Sequence, residues 1–169
     1  MHGDNVDTNY NDKGTIIMEM IYATDYLSPG GLQASESLAA FAQVPSNARV
    51  LDVGSGLGGA AFYLAKHKGC RVHGIDLMAS NVIEANRRAE KRDVSDRVEF
   101  VAGDAMALPF GQASFDLIWG QDAWCHVPDK GKMIEEFARV LKEKGKIIFS
   151  DWLLGDKADA RSDEVRKVT

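Results

Sequence analysis

The run Val50-Leu51-Asp52-Val53-Gly54-Ser55-Gly56-Leu57-Gly58-Gly59 carries an apolar strand straight into a glycine-rich turn and on into a helical stretch. Residues without a Cβ allow a tight strand-to-helix turn and close approach of a ligand to the backbone. They also leave a helix N-terminus whose free N–H groups receive an anion. The spacing Gly54-x-Gly56-x-x-Gly59 fits the fingerprint of dinucleotide sites. By itself, then, the turn predicts a nucleoside-type cofactor without saying which.

Outward from this turn, short apolar runs alternate with longer helical stretches, the pattern of βαβ units around a parallel sheet. Strands are predicted at Ala48–Val53, Cys70–Ile75, Val98–Ala102, Phe115–Trp119 and Lys146–Ser150. Helices are predicted near Gly59–Lys68, Ser80–Arg92 and Lys130–Leu141. The last is the plainest, because Met133, Ile134, Phe137, Val140 and Leu141 share one face. The expected fold is α/β, a Rossmann-like doubly wound parallel sheet of order 3-2-1-4-5.

Residues 1–14, rich in Asn, Asp and Gly, read as a mobile arm. Residues 15–47 read as an amino-terminal helical lid: an apolar cluster (Ile16, Ile17, Met20, Ile21), a break at Ser28-Pro29-Gly30-Gly31, and a helix over about Leu32 to Ala42. The cofactor-binding core is expected over 48–155, and 156–169 reads as the start of a truncated substrate-region helix. A fifth strand left at a sheet edge normally pairs with a later strand. The chain is therefore expected to be a fragment of a longer enzyme lacking the carboxyl-terminal strands, or to have that edge covered by a partner such as a second copy.

With 169 residues, 45% hydrophobic and 27% charged, the composition is that of one globular domain, without disorder or a membrane span. A net charge of -5 argues against a nucleic-acid partner, since polyanion binding relies on basic side chains that displace counterions. Cys70 and Cys125 lie far apart with no CxxC pair, which fits a reducing compartment and neither structural zinc nor a disulfide framework. No cluster of His, Cys and carboxylates suggests another metal. The amino terminus lacks the basic start and apolar run of a signal peptide, so the cytoplasm is the expected location.

Asp52 stands two residues before the first glycine. A carboxylate there would repel a pyrophosphate but suits a cofactor that carries an ammonium and a sulfonium, which favours S-adenosylmethionine over a nicotinamide dinucleotide. Asp76, 22 residues after Gly54 and followed by Leu77, closes the second strand where an acidic residue accepts from two ribose hydroxyls. Its other reading is a loop or helix-terminal aspartate with no ligand. After the third strand comes Gly103-Asp104-Ala105-Met106, where Asp104 can accept from an exocyclic adenine amine while the Ala105 N–H donates to the ring.

Asp52, Gly54, Gly56, Asp76, Asp104 and the stretch Ser114-Phe115-Asp116-Leu117-Ile118-Trp119 resemble the motifs of class I S-adenosylmethionine-dependent small-molecule methyltransferases, over about residues 16 to 152. Within that family the chain is most similar to the phosphoethanolamine and the glycine, sarcosine or dimethylglycine N-methyltransferases. That similarity rests on Ile21 to Gly31 and on Gly120 to Lys130. The resemblance implies an enzyme with S-adenosyl-L-homocysteine as product, a small-molecule acceptor and no metal. It implies cofactor contacts from Leu27, Ser28, Ser55, Leu77, Ala105 and Gln121, with Leu27 and Ser28 closing a lid. It also places Asp122 and His126 at the methyl acceptor, fitting an amine that is cationic until it loses a proton. The alternative reading of His126 is a residue that caps or packs its loop. A departure is Met18 ahead of Glu19, where the phosphoethanolamine group has a tyrosine; Tyr22 or Tyr26 is left to offer a hydroxyl or aromatic face.

The favoured expectation is N-methylation of an amine or amino acid derivative, the alternative C- or O-methylation of an isoprenoid or quinone-type molecule. Two rivals lie outside that chemistry: a nicotinamide-dependent oxidoreductase, and an incomplete cofactor-binding module without turnover.

Overall fold

The computed structural model describes residues 12–152, with backbone alone at 12 and 13. The arm expected over 1–14 falls outside them up to residue 11, and the substrate-region helix expected over 156–169 falls outside them altogether. Two helices, α1 (Asp12–Tyr22) and α2 (Gly31–Ala42), precede the alternating part of the chain. There β1 (Arg49–Val53), α3 (Gly59–Lys68), β2 (Arg71–Asp76), α4 (Ala79–Lys91), β3 (Val98–Ala102), β4 (Phe115–Gln121), α5 (Lys130–Val140) and β5 (Leu141–Ser150) follow in order. All strand pairs are parallel and the sheet order is β3-β2-β1-β4-β5, as expected.

β1 is buried on both faces after its first residue, which is why it reads as a nearly continuous apolar run rather than an alternating one. Val50 joins a core with Ala61 and Leu64 of α3, Ala85 and Ala89 of α4, and Val72, Phe100, Leu117 and Trp119 of the sheet. Leu51 and Val53 point the other way, into a core with Ile75, Phe115, Ile118 and Met133, Phe137 and Val140 of α5. Helices thus cover both faces of the sheet. The N-cap of α5 is Asp129, whose carboxylate accepts from the Lys132 N–H at 3.0 Å and so satisfies one of the four orphan donors of that terminus.

β5 starts earlier than its predicted Lys146. Leu141 already pairs with Phe115, and the ladder resumes at Lys146 opposite Leu117. The polar Lys142-Glu143-Lys144-Gly145 between them bulges out, with Lys144 at φ 66. Within the described residues β5 is a sheet edge.

From β1 the chain proceeds to β2 and β3 on one side, then crosses to β4 and β5 on the other. The carboxyl ends of β1 and β4 therefore flank the point where strand order reverses, the crevice in which open α/β sheets place ligands. No described helix is long and apolar enough to cross a membrane.

Candidate functional site

The glycine turn sits at that crevice. Gly54 N and Ser55 N both donate to the Ile75 carbonyl, at 2.8 and 3.1 Å, fastening the turn to β2. Gly54 takes φ 78, and a Cβ built on it would lie 2.3 Å from the Ala123 Cβ, so the loop after β4 packs directly on the turn. Asp76 closes β2 beside it. One carboxylate oxygen accepts from Gly56 N at 2.8 Å; the other accepts from Met78 N at 2.9 Å and from the buried Asn81 amide at 3.2 Å. Leu77 next to it is exposed.

Asp52 is 2% exposed, and its Oδ2 has no hydrogen-bond partner among the described residues; the same holds for the buried Ser55 hydroxyl oxygen. A buried acceptor left without a donor is costly unless a ligand fills the place, so these two atoms mark a site that awaits polar, cationic company. Burial, reinforced by the charge of Asp76, pushes the Asp52 carboxyl from 3.8 up to about 7. In the unfolded chain Asp52 ionises near its ordinary value, whereas in the fold it holds its proton. Stability therefore falls as pH rises through the window from about 4 to about 7. The expected loss of stability between pH 5 and pH 7.5, against Asp52→Asn, is roughly 2.5 kcal/mol, measurable by urea unfolding. Parallel pH profiles for the two proteins would show that Asp52 is already ionised.

The loop between α1 and α2 covers the turn. The Asp25 carbonyl accepts from Gly59 N at 3.2 Å, Tyr26 is buried against Gly59, and Leu27 Cδ1 lies 3.3 Å from where a Cβ on Gly56 would stand. Ser28 faces the carboxylate of Asp122, which follows β4 at φ 53 with its N–H on the Ser150 carbonyl. Burial raises the Asp122 pKa, Ser28 and Ser150 oppose that shift, and Asp151 adds to it. The lid residues expected from sequence, Leu27 and Ser28, thus meet the glycine turn and the Asp122 carboxylate respectively.

Three expected residues stand less directly. Gln121 spends its amide on α2, accepting from the buried Ser35 hydroxyl at 2.8 Å and donating to the Gly31 carbonyl at 3.3 Å. Asp104, half-buried beyond β3 with Ala105 beside it, accepts from Met106 N at 2.8 Å within its own turn. His126 is exposed on the short 3-10 turn Trp124–His126.

The sequence reading missed Trp124. Its indole N–H donates to the Val53 carbonyl at 3.0 Å and its ring stacks on Phe149 at 4.7 Å and tilts on Phe137 at 4.9 Å, so it ties the loop after β4 to β1, β5 and α5. The only signal was Gly120, whose missing Cβ makes room for that ring: one built there would lie 2.3 Å from Trp124 Cε2.

A family model described as a methyltransferase domain matches residues 51–149, from the first strand to the fifth. Phosphoethanolamine N-methyltransferase of Plasmodium falciparum is 33% identical over 150 residues, 88% of this chain and 55% of that protein. The 27-O-demethylrifamycin SV methyltransferase of Amycolatopsis mediterranei is 39% identical over 139 residues, 79% of this chain and 50% of that protein. The chain thus spans about half the length of these curated relatives. Haemonchus contortus phosphoethanolamine N-methyltransferase 2, solved in complex with S-adenosyl-L-methionine, superposes with a TM-score of 0.88 at 30% identity, covering 96% of this chain and 37% of that one. On the match from residue 51 to residue 149, the chain belongs to the methyltransferase domain family.

Proposed function

We propose that this chain binds S-adenosyl-L-methionine across the ends of β1, β2 and β3 and serves the N-methylation of a small amine or amino acid derivative. The observation that carries the reading is the buried, unpartnered Asp52 carboxylate oxygen beside the glycine turn and Asp76. The Asp76 carboxylate, with an Asp52 carboxyl that a bound cation would bring to ionise, disfavours a pyrophosphate and suits a ligand bearing an ammonium and a sulfonium, so the residues present fit the cofactor. The Haemonchus relative crystallised with that molecule supports the same choice.

In this reading Asp76 accepts from the ribose hydroxyls, Asp52 and Ser55 meet the amino acid end, and Asp104 with Ala105 meets the adenine. When bound, S-adenosyl-L-methionine supplies a methyl group on a sulfonium, already activated toward a nucleophile. The chain contributes alignment and the exclusion of water, worth about 7–11 kcal/mol when reacting atoms are well placed. Leu27 and Tyr26 close the apolar side. The Asp122 carboxylate, half-buried and held by Ser28, steadies the acceptor ammonium and takes up its proton, with His126 as the second acceptor-side group. Asp122 and His126 would thus present the deprotonated amine nitrogen to that methyl carbon, with S-adenosyl-L-homocysteine as the leaving product.

The test is calorimetry with S-adenosyl-L-homocysteine and with NAD, followed by a methyl-transfer screen over phosphoethanolamine, glycine, sarcosine, dimethylglycine and quinone-type hydroxyl and carbon acceptors. S-adenosyl-L-homocysteine binding with transfer to one of the amines is expected. Transfer confined to oxygen or carbon acceptors would overturn the amine assignment. Binding without any turnover would reduce this chain to a cofactor module, and a preference for NAD would overturn the whole reading.

A further inference from the structure

The lid loop is an unfavourable piece of backbone. Ala23 stands at φ 134 and Asp25 at φ 75, conformations that side chains other than glycine's avoid, so something outside the loop holds them there. The holding group is Arg88, in the third turn of α4. Its guanidinium donates to both carboxylate oxygens of Glu19, at 2.5 and 2.9 Å, and to Asp25 Oδ1 at 2.8 Å. Arg88 Nε also donates to Glu84 at 2.7 Å. Arg92 takes the other oxygen of Asp25 at 2.5 Å, and Glu19 accepts from the Asp25 N–H at 2.7 Å. The Arg88, Glu19 and Asp25 side chains are only 14, 17 and 12% exposed.

Asp25 therefore faces two ways. Its side chain is tied to α4, while its carbonyl accepts from Gly59 at the start of α3, and the next three residues lie on the glycine turn and on Asp122. Arg88 contacts none of the cofactor-side residues. Its bidentate grip on Glu19 fixes the end of α1, and its bond to Asp25 fixes the strained entry into the lid.

We infer that Arg88 is a positioning residue, a clasp from α4 that keeps residues 25–28 closed over the glycine turn and so slows the escape of a ligand it never touches. The inference rests on the cofactor reading for its ligand and on the geometry above for its mechanism. Without the guanidinium, Glu19 and Asp25 face each other as like charges with Arg92 the remaining counter-ion. The closed lid then becomes a smaller fraction of the population, and apparent affinity falls in proportion.

Arg88→Gln is expected to weaken S-adenosyl-L-homocysteine binding by about tenfold, nearly all of it in a faster dissociation rate by stopped-flow tryptophan fluorescence. Arg88→Lys, which keeps the charge but not the fork, should fall between the two. The double variant Arg88→Gln with Glu19→Gln, which removes the repulsion, should recover part of the loss. A group that only supports the fold would not produce that order.

Hydrogen exchange on the ligand-free proteins tests the clasp without any ligand. In Arg88→Gln, protection should drop in residues 19–31 while the strands keep theirs. Should that variant fail to fold, Asp25→Asn carries the same exchange and dissociation measurements. A folded Arg88→Gln with wild-type dissociation rate and wild-type protection in the lid would overturn the clasp. Protection lost evenly across the sheet would do the same, showing a role in the fold as a whole. Failure of the wild type to bind S-adenosyl-L-homocysteine would instead sink the cofactor reading and leave the exchange result to decide the clasp.

Discussion

Replacing Asp76 by alanine is expected to lower affinity for S-adenosyl-L-homocysteine by about 100-fold or more, since two charge-assisted hydrogen bonds at about 1.5–3 kcal/mol each are lost together. In the ligand-free fold the carboxylate already accepts from Gly56 N, Met78 N and Asn81, which aims it along the glycine turn and leaves acceptor capacity toward the crevice. Asp76→Asn keeps one acceptor oxygen but loses the charge, and an intermediate loss is expected. Stability should fall as well, by at least about 1–3 kcal/mol, because Asp76→Ala leaves Gly56 N, Met78 N and the buried Asn81 amide without their acceptor, so affinity is compared on protein shown to be folded. The same substitutions carry a second signature. Asp76 is the charge that, after burial, holds the Asp52 carboxyl up near 7, so its removal should move the pH dependence of Asp52 to lower pH. Calorimetric titrations between pH 5 and 8 read both effects. Unchanged affinity in either variant would remove Asp76 from the ribose.

How far the sequence announces this site depends on how local each constraint is. The glycine turn, Asp52 and Asp76 were legible because a strand, a turn and a helix must follow one another in sequence to build them, and the structure brings all three together. Gly145 and its polar neighbours hid the first half of β5, because a bulge in a strand looks like a turn when its partner strand is unknown. Trp124 was invisible for another reason: an indole is ambiguous until the carbonyl it bonds is placed, and that carbonyl is Val53, 71 residues away. The Arg88 clasp joins residues 69 and 63 apart, and nothing in one chain's letters pairs Glu19 or Asp25 with α4. His126 is read from residue type alone, as a group suited to acid–base work, and the fold sets it exposed on a short 3-10 turn.

Gly54→Ala is expected to destabilise the fold by about 2–5 kcal/mol, from two costs that can be separated. The first is backbone: at φ 78 an L-residue is strained, at about 1–2 kcal/mol. The second is contact: a Cβ at 2.3 Å from the Ala123 Cβ cannot be accommodated, because neither atom sits at the end of a flexible side chain. Something must shift, and the movable piece is the loop that carries Asp122 and, two residues on, Trp124 with its bond to Val53. The steric cost is about 1–3 kcal/mol, and its release would displace the Asp122 carboxylate and Trp124 together. Adding Ala123→Gly to Gly54→Ala removes the contact but not the strain, so urea unfolding of the double variant should recover about half the loss, a coupling of 1–3 kcal/mol in a double-mutant cycle at about this distance. Gly111→Ala is the matched control, since a Cβ there meets nothing closer than the Ser114 hydroxyl at 3.4 Å, and it should cost under about 1 kcal/mol. If the single and double variants proved equally unstable, strain alone would account for the glycine. The packing of the β4 loop on the cofactor turn would then lose its claim to couple the two halves of the site.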